Sequence, residues 1–120
     1  MAVRHLEAEV RQERGRAILD LRGEINGFAQ EALDAAYSEA ESNDPETILL
    51  NFEEVDYINS TGIALIVGVL ARARAAGISL RAYGLTQHYK EIFEITRLAD
   101  YLAITTDEDS AVGGAGRNTE

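Results

Sequence analysis

The sequence contains no cysteine, which excludes disulfides, thiolate zinc sites, iron–sulfur clusters and a cysteine nucleophile. Tryptophan is also absent, and there is one methionine and one proline, so a core must be built from Ile, Leu, Val and Ala. No apolar run approaches the roughly 20 residues of a membrane span. The opening residues Met1-Ala2-Val3-Arg4-His5 carry no apolar signal core. The expectation is a soluble, cytoplasmic chain with no membrane partner. Positive charge is missing from a long central stretch. Between Gly23 and Ala71 there is neither Lys nor Arg, but there are ten acids: Glu24, Glu31, Asp34, Glu39, Glu41, Asp44, Glu46, Glu53, Glu54 and Asp56. The other 11 acids are matched by the 11 bases, so this stretch carries the whole formal charge of −10. Such a segment repels phosphate backbones and argues against direct binding of nucleic acid. It reads either as a solvated helix face or as an electrostatic footprint for a basic partner.

What is present is enough for one domain. The 120 residues are 46% hydrophobic and 27% charged, a globular composition. Leu6-Glu7-Ala8-Glu9-Val10 and Ala17-Ile18-Leu19-Asp20-Leu21-Arg22 alternate as half-buried strands, joined by a link short enough for a hairpin. From Phe28 the period changes, and Phe28, Ala32, Leu33, Ala36, Tyr37 and Ala40 form one stripe of a helix that Pro45 terminates. Thr47 to Phe52 is nearly all apolar, as in a central strand covered on both faces, and a loop is expected over residues 53–59. Residues 62–70 read as a helix apolar almost all round, with Gly77 as its C-cap. Gly68 within it is expected to permit close approach to the sheet, because an interior glycine costs about 1 kcal/mol relative to Ala. A strand over 78–83, a helix over 86–95 with Tyr89, Ile92, Phe93 and Ile95 inward, a further turn and a last strand near 103–106 complete the pattern. The order β-β-α-β-α-β-α-β predicts a single α/β domain with a mixed, mostly parallel sheet and packed helices. Residues 1–109 are assigned to that domain and 110–120 to a disordered tail.

Catalytic and cofactor motifs are missing. The single lysine, Lys90, has no glycine loop before it, which excludes a P-loop. There is no Gly-x-Gly-x-x-Gly at the first helix and no acidic pair of a phospho-receiver. Ser60 lies at a strand-to-helix turn with His88 downstream, but without the glycine frame of a nucleophile elbow. Glu53, Glu54 and Asp56 lack the spacing of a calcium loop. The expectation is a protein that is not an enzyme and holds no cofactor or metal.

One turn stands out: Asp56-Tyr57-Ile58-Asn59-Ser60-Thr61-Gly62, which leads into the apolar helix. Ser60 is an N-cap candidate, and a helix N-terminus also stabilises a phosphate through its free amides and macrodipole. Val55 to Ile66 resembles the signature turn and helix of the STAS domain family, as in bacterial anti-sigma factor antagonists. Leu21-Arg22-Gly23-Glu24-Ile25-Asn26 is similar to the family's Gly-Glu-Leu-Asp, and Gly77-Ile78-Ser79-Leu80, Tyr83-Gly84-Leu85 and Ile92 to Leu98 resemble its later elements. The likeness spans roughly residues 3–107. Where the family often has Asp, this chain has Asn26 and Asn59, and Asn also caps and bonds amides.

The resemblance implies a non-catalytic switch in stress-response signalling and transcription regulation. In the family, the unphosphorylated antagonist binds an anti-sigma factor, which is a serine kinase, and frees a sigma factor; a serine phosphatase reverses the phosphorylation. The acceptor maps onto Ser60, with Thr61 as second choice, and the partner-binding positions onto Glu24, Asn26, Asp56, Tyr57, Asn59, Ser60, Thr61 and Gly62. The alternative is a STAS scaffold in a stressosome-like assembly, where Ser60 would only cap the helix. A weak homo-oligomer is compatible with either.

Overall fold

The structure, a computed structural model, describes residues 5–108 and residue 111. Five strands form one sheet in the order β1-β2-β3-β4-β5. Strands β1 (Glu7–Glu13) and β2 (Arg16–Ile25) are the expected antiparallel hairpin, turned at Gly15 with φ +77°. Thereafter β3 (Thr47–Ile58), β4 (Ser79–Tyr83) and β5 (Ala103–Thr105) add in parallel, each crossover carrying one helix. These helices are α1 (Gln30–Glu41), α2 (Ser60–Ala75) and α3 (Gln87–Ile95). The α/β class and the mixed, mostly parallel sheet agree with the sequence reading.

Strand alternation divides the sheet into two faces. Leu19, Leu21, Ile48, Leu50, Phe52, Leu80 and Ala82 join the main core with the buried stripes of α1, α2 and α3. Ile18, Leu49 and Tyr83 point the other way and pack with Ala111. The α2 stripe is Gly62, Ile66, Val69, Leu70 and Ala73, one side of a helix.

Several local expectations are corrected. Strand β3 continues through residues 53–58, because β2 is also long and Ile25 still pairs with Ile58 at their far ends. Helix α2 is buried on one side only: Val67 and Gly68 are exposed, and a Cβ on Gly68 would meet nothing within 4 Å. Gly68 therefore makes no close approach to the sheet. Phe28 belongs to a 3-10 turn before α1 and is 84% exposed, while Ile95 at the end of α3 is 80% exposed. The expected tail lies outside the described residues except at Ala111, which is fully buried; its amide donates to the Asp107 carbonyl in a helical turn.

Candidate functional site

The sequence-predicted residues gather where β2 and β3 end side by side. Glu24 pairs with Tyr57 and Ile25 with Ile58, and the Asn59 amide extends the pairing by donating to the Ile25 carbonyl at 3.2 Å. The chain then turns directly into α2. Asn59, not Ser60, is the N-cap: its backbone is extended, and its side-chain oxygen accepts from the Gly62 amide at 2.8 Å. The first intrahelical bond follows, from the Ile63 amide to the Asn59 carbonyl at 2.9 Å. Ser60 is thereby released from capping. It occupies the first helical position with its residue exposed, and Thr61 beside it is exposed as well. Sequence alone could not decide this, because Asn and Ser are nearly equal as caps.

Gly62 fixes how the two strand ends meet the helix. An ideal Cβ at Gly62 would lie 1.9 Å from the Ile25 carbonyl oxygen, so only glycine fits. Across the mouth of α2, Asn26 organises the neighbouring turn (Gly27–Ala29). Its side-chain oxygen accepts from the Phe28 amide at 2.9 Å, and its Nδ2 donates to Glu24 Oε1 at 3.4 Å. A Cβ on Gly27 would meet the Thr61 methyl at 3.6 Å, so the two turns touch. The Ile58 amide donates to the buried Tyr89 hydroxyl at 2.9 Å, which ties α3 to the end of β3.

Asn26, Asn59, Ser60, Thr61 and Gly62 therefore form one mouth. Glu24 and Tyr57 sit on the adjoining strand ends, and alternation turns them toward the opposite sheet face from Ile25 and Ile58. Asp56 is exposed one residue earlier. Two contributors escaped the sequence reading. Phe28 presents a bare aromatic ring beside the mouth, and Tyr89 anchors it from below. The Asn-Gly turn signal at 26–27 could have placed Phe28 outside the helix.

The acidic segment is partly balanced from outside itself. Arg72 approaches Asp34 at 3.8 Å and Glu41 at 3.7 Å, and Arg22 approaches Glu54 at 3.6 Å. No base of the segment's own adjoins the mouth. Among the described residues no three His, Asp or Glu are grouped to hold a metal ion, and no helix is long and apolar enough to cross a membrane. Two shallow clefts, of about 300 and 390 Å³, lie elsewhere, beside Lys90 and Thr106 and beside Pro45 and Gly77. With Phe28, Tyr57, Ser60 and Thr61 all exposed, the mouth presents an open surface.

Comparison with known proteins agrees with this fold. The anti-sigma-B factor antagonist of Listeria monocytogenes is 28% identical over 91 residues, covering 76% of this chain and 80% of that one. The structure of the anti-sigma factor antagonist SpoIIAA in its unphosphorylated form superposes with a TM-score of 0.71 at 22% identity, covering 91% of this chain and 96% of that chain. The phosphorylated form of SpoIIAA, a Bacillus cell fate determinant, gives a TM-score of 0.66 at 22% identity over 86% of this chain and 95% of that one. The STAS domain family matches residues 7–111, a span that takes in every strand and helix described above, and the chain belongs to that family.

Proposed function

We propose that this chain is a cytoplasmic anti-sigma factor antagonist, switched by phosphorylation of Ser60. The observation that carries the reading is the division of labour between Asn59 and Ser60: Asn59 caps α2 and leaves Ser60 exposed at its first turn. A hydroxyl in that position is open to a kinase. The phosphate it receives faces the positive end of the macrodipole, so the fold tolerates it. Unphosphorylated, the mouth and its acidic flank bind an anti-sigma factor that is itself a serine kinase, and the sigma factor is set free. A serine phosphatase resets the switch. Glu24, Asn26, Asp56, Tyr57, Asn59, Thr61 and Gly62 contribute to the contact surface, and the chain itself catalyses nothing.

A phosphate adds about −1.5 to −2 charges to an acidic surface. A like-charge contact near 4 Å costs about 1 kcal/mol in water and about 4 at an effective dielectric of 20, so binding weakens roughly ten- to a thousandfold. The test mixes the chain with its cognate anti-sigma kinase and ATP and maps the site by peptide mass. Phosphate on Ser60, abolished in Ser60→Ala with binding retained, supports the reading. Phosphate on Thr61 alone moves the acceptor by one residue. Binding without phosphate anywhere refutes the switch and favours a scaffold.

A further inference from the structure

The turn beside the mouth of α2 carries a reactive pair of residues. Asn26 is followed by Gly27, whereas Asn43, Asn51, Asn59 and Asn118 are each followed by a residue with a side chain. Asn26 is the N-cap of the turn Gly27–Ala29, with an extended backbone of φ −135° and ψ −167°. Its side chain is held at both ends. Oδ1 accepts from the Phe28 amide at 2.9 Å, and Nδ2 donates to Glu24 Oε1 at 3.4 Å. The two contacts fix the orientation of the amide, because an ionised carboxylate accepts only from its nitrogen. The bond to Phe28 spans the residue between them, so the Asn26 side chain folds over the Gly27 peptide. Gly27 is exposed, and as the first residue of the turn its amide has no partner within it.

We propose that Asn26 is a self-modifying residue, which deamidates in the folded chain by attack of the Gly27 backbone nitrogen on its side-chain Cγ. Hydroxide removes the Gly27 amide proton and the N–Cγ bond forms. The Phe28 amide stabilises the negative charge that develops on Oδ1; its 2.9 Å bond lies within the about 2.7–3.1 Å at which such donors act. The Cγ–Nδ2 bond then breaks, water supplies a proton to the leaving nitrogen, and ammonia departs from a cyclic imide joining residues 26 and 27. A second water opens the imide. Opening at Cγ leaves aspartate, and opening at the Asn26 carbonyl carbon leaves isoaspartate, with the main chain rerouted through the side chain. The sum is an amide plus water giving a carboxylate plus ammonia, with nothing oxidised or reduced. Glycine admits the attack because it lets the backbone approach without a Cβ in the way. Either product adds a negative charge beside Glu24, on the turn whose Gly27 faces the Thr61 methyl at the start of α2. The chemistry needs no kinase and stands apart from the proposed role of Ser60.

The test incubates the purified full chain in mildly alkaline buffer, with circular dichroism to show that it stays folded. Peptide mass follows each asparagine over time, and fragmentation separates aspartate from isoaspartate. Progressive replacement of the Asn26 amide –NH2 by –OH, in both linkages, is expected while Asn43, Asn51 and Asn59 stay intact. Gly27→Ala should fold, because the added Cβ meets the Thr61 methyl at 3.6 Å, an ordinary contact, and Gly27 lies outside the left-handed region. Its Asn26 should convert many-fold more slowly. An Asn26 that persists in the folded chain while the urea-unfolded chain converts would overturn the proposal, since the fold would then shield the pair. Equal rates in Gly27→Ala and wild type would overturn it too, as would aspartate formed with no isoaspartate, because neither fits an imide. Conversion of Asn59 as fast as Asn26 would remove any special role for the Gly27 turn and count against it equally.

Discussion

The Cα of Gly62 faces the Ile25 carbonyl oxygen so closely that a single methyl there would overlap the backbone of β2, its Cβ falling 1.9 Å from the oxygen and 2.7 Å from the carbonyl carbon. Backbone cannot swing aside as a flexible side chain can. Gly62→Ala is therefore expected to destabilise the domain by at least the upper end of the about 1–3 kcal/mol typical of overpacking. It should also lift the first turn of α2 away from Asn59. Urea unfolding measures the first effect, and a slower rate of Ser60 phosphorylation in the fraction that still folds measures the second. A neutral Gly62→Ala would mean that α2 enters the sheet elsewhere.

Gly68 behaves in the opposite way. It is an interior helix glycine whose added Cβ meets open space, so the overpacking expected from the sequence does not arise. Gly68→Ala should stabilise α2 by up to about 1 kcal/mol, through helix propensity and a less flexible unfolded chain. An increase in urea midpoint with unchanged slope is the expected result. A loss of stability would place Gly68 against a neighbour.

The element order was legible because period-2 and period-3.6 patterns are strong here, and the mouth was legible because its turn residues are locally distinctive. Three things were not. Residues 53–58 lack an apolar alternation, yet they stay in a strand because β2 offers partners from Arg22 to Ile25; pairing is non-local and leaves no mark in a window. The exposed side of α2 is built from Ala64, Val67, Gly68 and Ala71, whose apolar or small side chains mimic burial. Asn59 and Ser60 compete for one cap, and only the backbone bond from Asn59 to Ile25 decides between them.

That cap can be tested separately from the proposed role of Ser60. Asn59→Ala removes the side-chain bond to the Gly62 amide and should cost about 0.5–2 kcal/mol. Asn59→Asp keeps the bond and places a charge at the positive end of α2, a gain of about 0.3–1 kcal/mol at low salt that high salt removes. Chemical unfolding at two ionic strengths separates the two variants. Equal stability of Asn59→Ala and wild type would show that Ser60 takes over the cap.

The last expectation concerns acid. The Arg11 guanidinium, hydrogen-bonded to Glu108, outweighs burial there, and with the Tyr83 hydroxyl it holds the Glu108 carboxyl below the usual range. Burial pushes Asp20 upward, but hydrogen bonds from Arg11 and Asn51 together exceed it, so this carboxyl also ends low. Both groups are ionised in the folded chain at pH values where the unfolded chain has begun to take up protons. Their contribution is therefore complete above the ordinary carboxylate values of 4.5 and 3.8 and is lost as pH falls through the lowered ones. The Arg11–Glu108 pair is more than a third exposed on both sides, which limits it to about 1 kcal/mol or less. Glu108→Gln should cost that much at neutral pH and progressively less as pH falls through the lowered Glu108 value. The local readout is hydrogen exchange of the Ala111 amide, which donates to the Asp107 carbonyl at 3.1 Å and closes the turn over Ile18, Leu49 and Tyr83. After correction for the intrinsic pH dependence of exchange, its protection should fall in Glu108→Gln at neutral pH and in wild type only on acidification. If protection of Ala111 is unchanged in both, burial alone docks this segment, and the Arg11–Glu108 pair does not hold it.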